Sequence, residues 1–133
     1  MAQSASTPST PQSSVVMMPE SDTRTLCVQL VGTVTKGDYD ANFYKPLQKF
    51  VDAETPFGLL IDYTHYKGWH EDAAARSFES IIDHGKFARR MAYVAAPDSK
   101  VTQIKVAKPL LGGEVKFFKA DELAKAVQWV KSD

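Results

Sequence analysis

Apolar and polar positions along this chain change period several times between Ser14 and Lys131, and each change marks an element. "SVVMMP", "ESDTR" and "TLCVQLVGTV" read as strand, turn and strand, an antiparallel hairpin in which Leu26, Val28 and Leu30 share one apolar face. Thr35, three residues before Asp38, opens a helix over about Lys36–Asp52 with Tyr39, Phe43, Leu47, Phe50 and Val51 along one side. Pro46 falls inside that pattern, removes one backbone hydrogen bond and predicts a kink.

"TPFGLLIDY" is an unbroken apolar run and predicts a strand buried on both faces. A loop over Asp62–Trp69 follows, then a helix over about Glu71–His84 with Ala74, Phe78, Ile81 and Ile82 inward and Gly85 at its end. "RMAYVAA" predicts another buried strand, and Asp98 caps a helix over about Ser99–Lys108, ended by Pro109 and Gly112-Gly113. "EVKFF" is a short strand, and Asp121–Lys131 a last helix with Leu123, Val127 and Val130 inward. The order ββαβαβαβα demands right-handed crossovers, so the chain predicts an α/β fold: a mixed, largely parallel sheet of about five strands with an N-terminal hairpin, packed by about four helices.

Composition adds the boundaries. At 133 residues there is room for one domain; Ser/Thr/Pro-rich residues 1–14 cannot bury enough to order themselves and read as a disordered tail before a domain over 15–133. No apolar run is long enough to cross a bilayer, and the one cysteine, Cys27, excludes an internal disulfide. With no secretory or transit pattern at the start, a cytoplasmic location is expected. Net charge is zero but uneven: six basic and eleven acidic residues reach Asp83, and ten and five follow from His84. Neutral overall charge and the lack of a recognition motif argue against nucleic acid.

Four segments, "GTVTKGDYDANFYKPL", "LLIDYTHYKGW", "HGKFARRMAYVA" and "EVKFFKADELAKAVQWV", in this order and spacing resemble the SpoIIAA-like family, over roughly Val15–Val130. The resemblance implies a STAS-like fold, a bacterial cytoplasmic protein and no enzymatic activity. It implies either a regulatory role like that of anti-sigma-factor antagonists or, through likeness to Sec14-type carriers, binding of a lipophilic ligand or a membrane surface. Two departures stand out. Antagonists of this type carry a phosphorylatable Ser at the start of the helix after the central strand, whereas Thr64 is the one suitable hydroxyl here. A Trp that relatives often have near the start of the next helix is replaced by Val101 and Thr102.

The chemistry-bearing residues crowd into "DYTHYKGWHED", Asp62–Asp72. His65 and His70 with Asp62, Glu71 and Asp72 lack the spacing of a metal motif and have no Cys among them, so neither a metal nor a cofactor is expected. No nucleophile elbow, P-loop or dinucleotide motif occurs, and no catalytic residue is assigned; a hydrolase using His65 is the enzymatic alternative. Glu71 and Asp72 suit the first turn of a helix, where carboxylates meet unpaired backbone N–H groups. Tyr63, Tyr66 and Trp69 sit where open α/β sheets bind ligands, outside the carboxyl ends of parallel strands. The next helix begins with three alanines and buries little. A cleft under it, lined by Tyr63, Tyr66, Trp69, Phe78, Ile82 and Phe87, would take an amphipathic or lipophilic small molecule. That Trp69 merely plugs the core is the equal alternative. His84, Lys86, Arg89 and Arg90 would face an anionic membrane surface, placing the protein peripherally at a membrane. A protein-interaction module with Thr64 as a phosphorylation switch is the rival reading. Oligomeric state is left open.

Overall fold

The computed structural model describes residues 13–73 and 87–132. Five strands form one sheet in the order β1 (Val15–Met17), β2 (Thr25–Val34), β3 (Phe57–Trp69), β4 (Ala88–Val94) and β5 (Glu114–Phe118). β1 is antiparallel to β2, and every other neighbouring pair is parallel. The predicted mixed α/β architecture is therefore present, with the hairpin on one edge.

The strands alternate their side chains between two cores. On one face Leu26, Val28, Leu30, Leu59, Ile61, Met91 and Tyr93 pack under α1 (Lys36–Tyr39), α2 (Lys45–Asp52) and α3 (Asp98–Ala107). On the other, Cys27, Leu60, Ala92, Val94 and Phe118 pack under α4 (Leu123–Lys131) through Ala126 and Val130. Cys27 is buried, and burial pushes its thiol up to about 11.

Three local differences from the sequence expectation have simple causes. In place of one continuous α-helix, a π-helical segment, Asp40–Tyr44, lies between α1 and α2, just before Pro46. Its wider turn, closed by the Lys45 N–H donating to the Asp40 carbonyl, accommodates a ring that cannot fit against an ordinary preceding turn. Ser14, expected in the tail, is buried: its N–H and hydroxyl both donate to Asp38 Oδ2, at 2.9 and 2.6 Å, and those bonds hold the Asp38 carboxyl below its ordinary value. Asp98 is the first residue of α3 rather than its cap, which is Pro97. Thr35 does cap α1, accepting from the Asp38 N–H at 3.3 Å. Residues 71–73 are helical, and the rest of the expected Glu71–His84 helix lies outside the described residues.

Candidate functional site

Asp62–Trp69 departs furthest from the sequence expectation. This stretch is not a loop; it continues β3 to Trp69, paired with β2 as far as Val34. The pairing slips twice. Gln29 pairs with Asp62 but Val31 with His65, and Gly32 pairs with Tyr66 but Thr33 with Gly68, so β3 carries one extra residue at each slip. In a regular strand, residues three apart point to opposite faces. Here each bulge absorbs one residue, and Tyr63, Tyr66 and Trp69 fall on the same side. Gly32, with φ of +67°, and Gly68, with φ of +153°, supply the backbone conformations that the second slip requires.

The result is a continuous run of aromatic rings. Tyr63 meets Tyr66 edge-on at 5.2 Å between centroids, Tyr66 meets Trp69 at 5.5 Å, and Trp69 meets Tyr39 of α1 at 5.8 Å. In the other direction Tyr63 stacks on Tyr93 at 6.4 Å, and Tyr93 on Phe117 of β5 at 5.8 Å. Tyr63 and Tyr93 are fully buried, while Tyr66, Trp69 and Phe117 retain partial exposure. Burial raises the phenols of Tyr63, Tyr66 and Tyr93, and the neighbouring tyrosines add to it for Tyr63 and Tyr93, so these hydroxyls stay neutral donors.

Two polar groups mark this face. The Tyr93 hydroxyl is buried and has no hydrogen-bond partner among the described residues. A buried hydroxyl without a partner is costly, which makes it the most informative atom of the site. Lys100, in the first turn of α3, is 4 % exposed; its ammonium lies 5.1 Å from the Trp69 ring centroid and donates to Gln103 Oε1 at 2.5 Å. Desolvation pushes the amine down to about 8. Sequence places Tyr39 only on the helix face that meets the core and Lys100 only among the basic residues of the second half, and it marks neither Tyr93 nor Phe117. A tyrosine inside the apolar run "RMAYVAA" was the available signal, since its hydroxyl needs a partner wherever the run is buried.

The other expected site residues are dispersed. Phe78, Ile82, His84 and Lys86 lie outside the described residues. Phe87 does not join the aromatic run: it precedes β4 at the amino end of the sheet and lines a hollow of about 420 Å³ with Phe50, Val51 and Pro56. Ala88 pairs with Phe57, twelve residues before Trp69, and at ~3.3 Å per residue the two ends stand far apart. Arg89 and Arg90 also depart from expectation. Arg89 donates to the carbonyls of Ser132 and Val130 at 2.7 and 2.9 Å, and Arg90 to the Trp129 carbonyl at 2.8 Å and to the Ser132 hydroxyl, with its guanidinium over the Trp129 ring. The end of α4 exposes carbonyls that need donors, and these two side chains supply them.

Thr64 is exposed but is not at a helix start; it lies within β3, where its N–H and hydroxyl donate to Oδ1 of buried Asp62 at 2.9 and 2.5 Å. The second Asp62 oxygen accepts from Gln29 at 3.2 Å. His65 is exposed, lines a shallow hollow with Val31, Gly32 and Lys67, and has no carboxylate to orient it among the described residues. His70 pairs with Asp72 at 2.9 Å, and the same Asp72 oxygen accepts from the Lys36 N–H at 3.4 Å, so Asp72 links the two exposed helix starts. No group of three or more metal-ligating side chains converges, and no helix is long and apolar enough to cross a membrane, among the described residues.

Comparisons with known proteins agree with this fold. A crystal structure of an uncharacterized protein from Shewanella loihica PV-4, of the DUF3478 family and with a SpoIIAA-like fold, superposes with a TM-score of 0.68 at 24% identity, covering 93% of this chain and 99% of that one. No curated protein matches the chain. The family model for SpoIIAA-like proteins matches residues 25–131, and the chain belongs to the SpoIIAA-like family.

Proposed function

We propose that this domain is a non-enzymatic carrier or regulatory module that binds a lipophilic or amphipathic small molecule against the aromatic run from Tyr39 to Phe117. The observation that carries the reading is the buried Tyr93 hydroxyl, with no partner among the described residues, set among rings that offer apolar surface on both sides. A ligand with an apolar body and one hydrogen-bonding oxygen would satisfy it. Trp69, between Tyr39 and Tyr66, acts in this reading as the wall where the run meets solvent. An apolar hollow of about 410 Å³ among Met17, Leu26, Pro46 and Phe50, at the other end of the sheet, has no fully buried polar side chain among the described residues that line it and is the less favoured place. Membrane docking through Arg89 and Arg90 is not part of the proposal, because both side chains hold the end of α4.

The test uses fluorescence of Trp69 in Trp129→Phe protein, titrated with 1-octanol as a neutral probe and octanoate as an anionic one. A saturable change with either, weakened at least tenfold by Tyr93→Phe, supports the proposal; no saturable response to either sinks it. The rival, an interaction module like the anti-sigma-factor antagonists, draws on the fold alone. It predicts that a specific protein is retained by wild type and released by Thr64→Glu, and it fails if neither form retains one. A hydrolase centred on His65 has no support in the surroundings of that side chain.

A further inference from the structure

β5 closes one edge of the sheet: β4 is its neighbour on one side, and its outer side has no strand among the described residues. Such an edge offers a row of unused N–H and C=O groups. β5 contains no proline to block pairing, and its side chains alternate. Lys116 lies on the α4 side, with its ammonium 5.3 Å from the Phe118 ring and 5.9 Å from that of Trp129, and Glu114 shares that side by alternation; both are exposed. Val115 packs on the opposite core, and Phe117 beside it remains 36 % exposed.

We propose that β5 pairs antiparallel with β5 of a second copy of this chain, about a two-fold axis perpendicular to the sheet at Val115. Such an axis keeps each sheet face on its own side, so the strand can meet its copy only in registers that place same-side residues opposite each other. With the axis at Val115, Glu114 stands opposite Lys116 of the second copy and Lys116 opposite its Glu114, two cross-strand pairs of opposite charge, while Val115 meets Val115. An axis at Lys116 opposes two ammonium groups, and one at Glu114 two carboxylates. An axis at Phe117 moves Glu114 opposite Ala120, beyond the strand. Charge complementarity thus selects both the occupant and the register. A strand this short covers less than the ~1,200 Å² of a stable interface, so the dimer is weak and concentration-dependent.

The test combines sedimentation up to millimolar protein with disulfide trapping. Wild type should dimerise; Glu114→Lys and Lys116→Glu should each weaken the dimer about tenfold or more, and the double reversal should restore it. Under mild oxidation Val115→Cys should cross-link efficiently and Phe117→Cys poorly, with circular dichroism confirming that both fold. Cys27 is buried and does not compete. A wild type that stays monomeric, single reversals without effect, or equal cross-linking at the two positions would overturn the proposal, leaving the edge to an extended segment of another protein.

Discussion

Tyr93 of β4 stacks on Tyr63 of β3 with ring centroids 6.4 Å apart, and the Tyr93 hydroxyl lies buried beside that stack without a partner among the described residues. Desolvating a hydroxyl without a compensating bond costs about 1–3 kcal/mol. Tyr93→Phe keeps the ring and removes the cost, so ligand-free variant protein should be more stable than wild type by about 1 kcal/mol. Thermal unfolding of delipidated protein checks this. A loss of stability instead would mean that the hydroxyl has a structural partner.

Lys100 gives a pH signature. Its amine titrates at about 8 in the fold against 10.5 ordinarily, so the unfolded chain holds this proton more tightly than the native one. Stability must therefore rise as pH climbs from about 8 toward 10.5. The raised phenols of Tyr63 and Tyr93 and the raised Cys27 thiol act in the opposite sense at alkaline pH, so the comparison needs a variant that shares them. Lys100→Met should be more stable than wild type at pH 7, by on the order of 2 kcal/mol, with the difference shrinking by pH 10. Urea unfolding across that range reads it; parallel curves would contradict it.

The two arginines at β4 separate a structural from a membrane role. Arg89→Ala and Arg90→Ala each remove donors from the carbonyls at the end of α4 and should cost about 1–3 kcal/mol. Binding to phosphatidylserine vesicles should be the same for both variants as for wild type. Lost vesicle binding at unchanged stability would restore the headgroup role expected from sequence.

Gly68 tests the bulges. At φ of +153° a side chain is strained, and Gly68→Ala should cost about 1–2 kcal/mol and loosen the alignment of Trp69 with Tyr66. Trp69 emission in the Trp129→Phe background should shift to the red. An unshifted spectrum with wild-type stability would show that the second slip is not held by glycine.

These residues also explain what the sequence could and could not reveal. The elements followed from periodicity, because Leu26, Val28 and Leu30 alternate cleanly and the face of α2 repeats as a helix must. The aromatic site followed only in part: Tyr63, Tyr66 and Trp69 are legible as a cluster at the end of a parallel strand, but not as one face. Its spacing of three between Tyr63, Tyr66 and Trp69 fits neither a regular strand nor a helix, and two bulges, invisible without the pairing of β2, turn it into one face. Phe87 lies far from that face because the strand before it runs thirteen residues, a length that its neighbours in sequence do not signal. Arg89 and Arg90 look like surface cations in the sequence because their partners, the last carbonyls of α4, lie about forty residues away.

If the Tyr93 hydroxyl faces a bound molecule, native mass spectrometry of wild-type and Tyr93→Phe protein, purified without detergent from the same host, will show it. Wild type should carry an adduct of lipophilic small-molecule mass, released on mild activation and reduced at least tenfold in the variant. Equal adducts on both proteins, or none on either, would rule that role out.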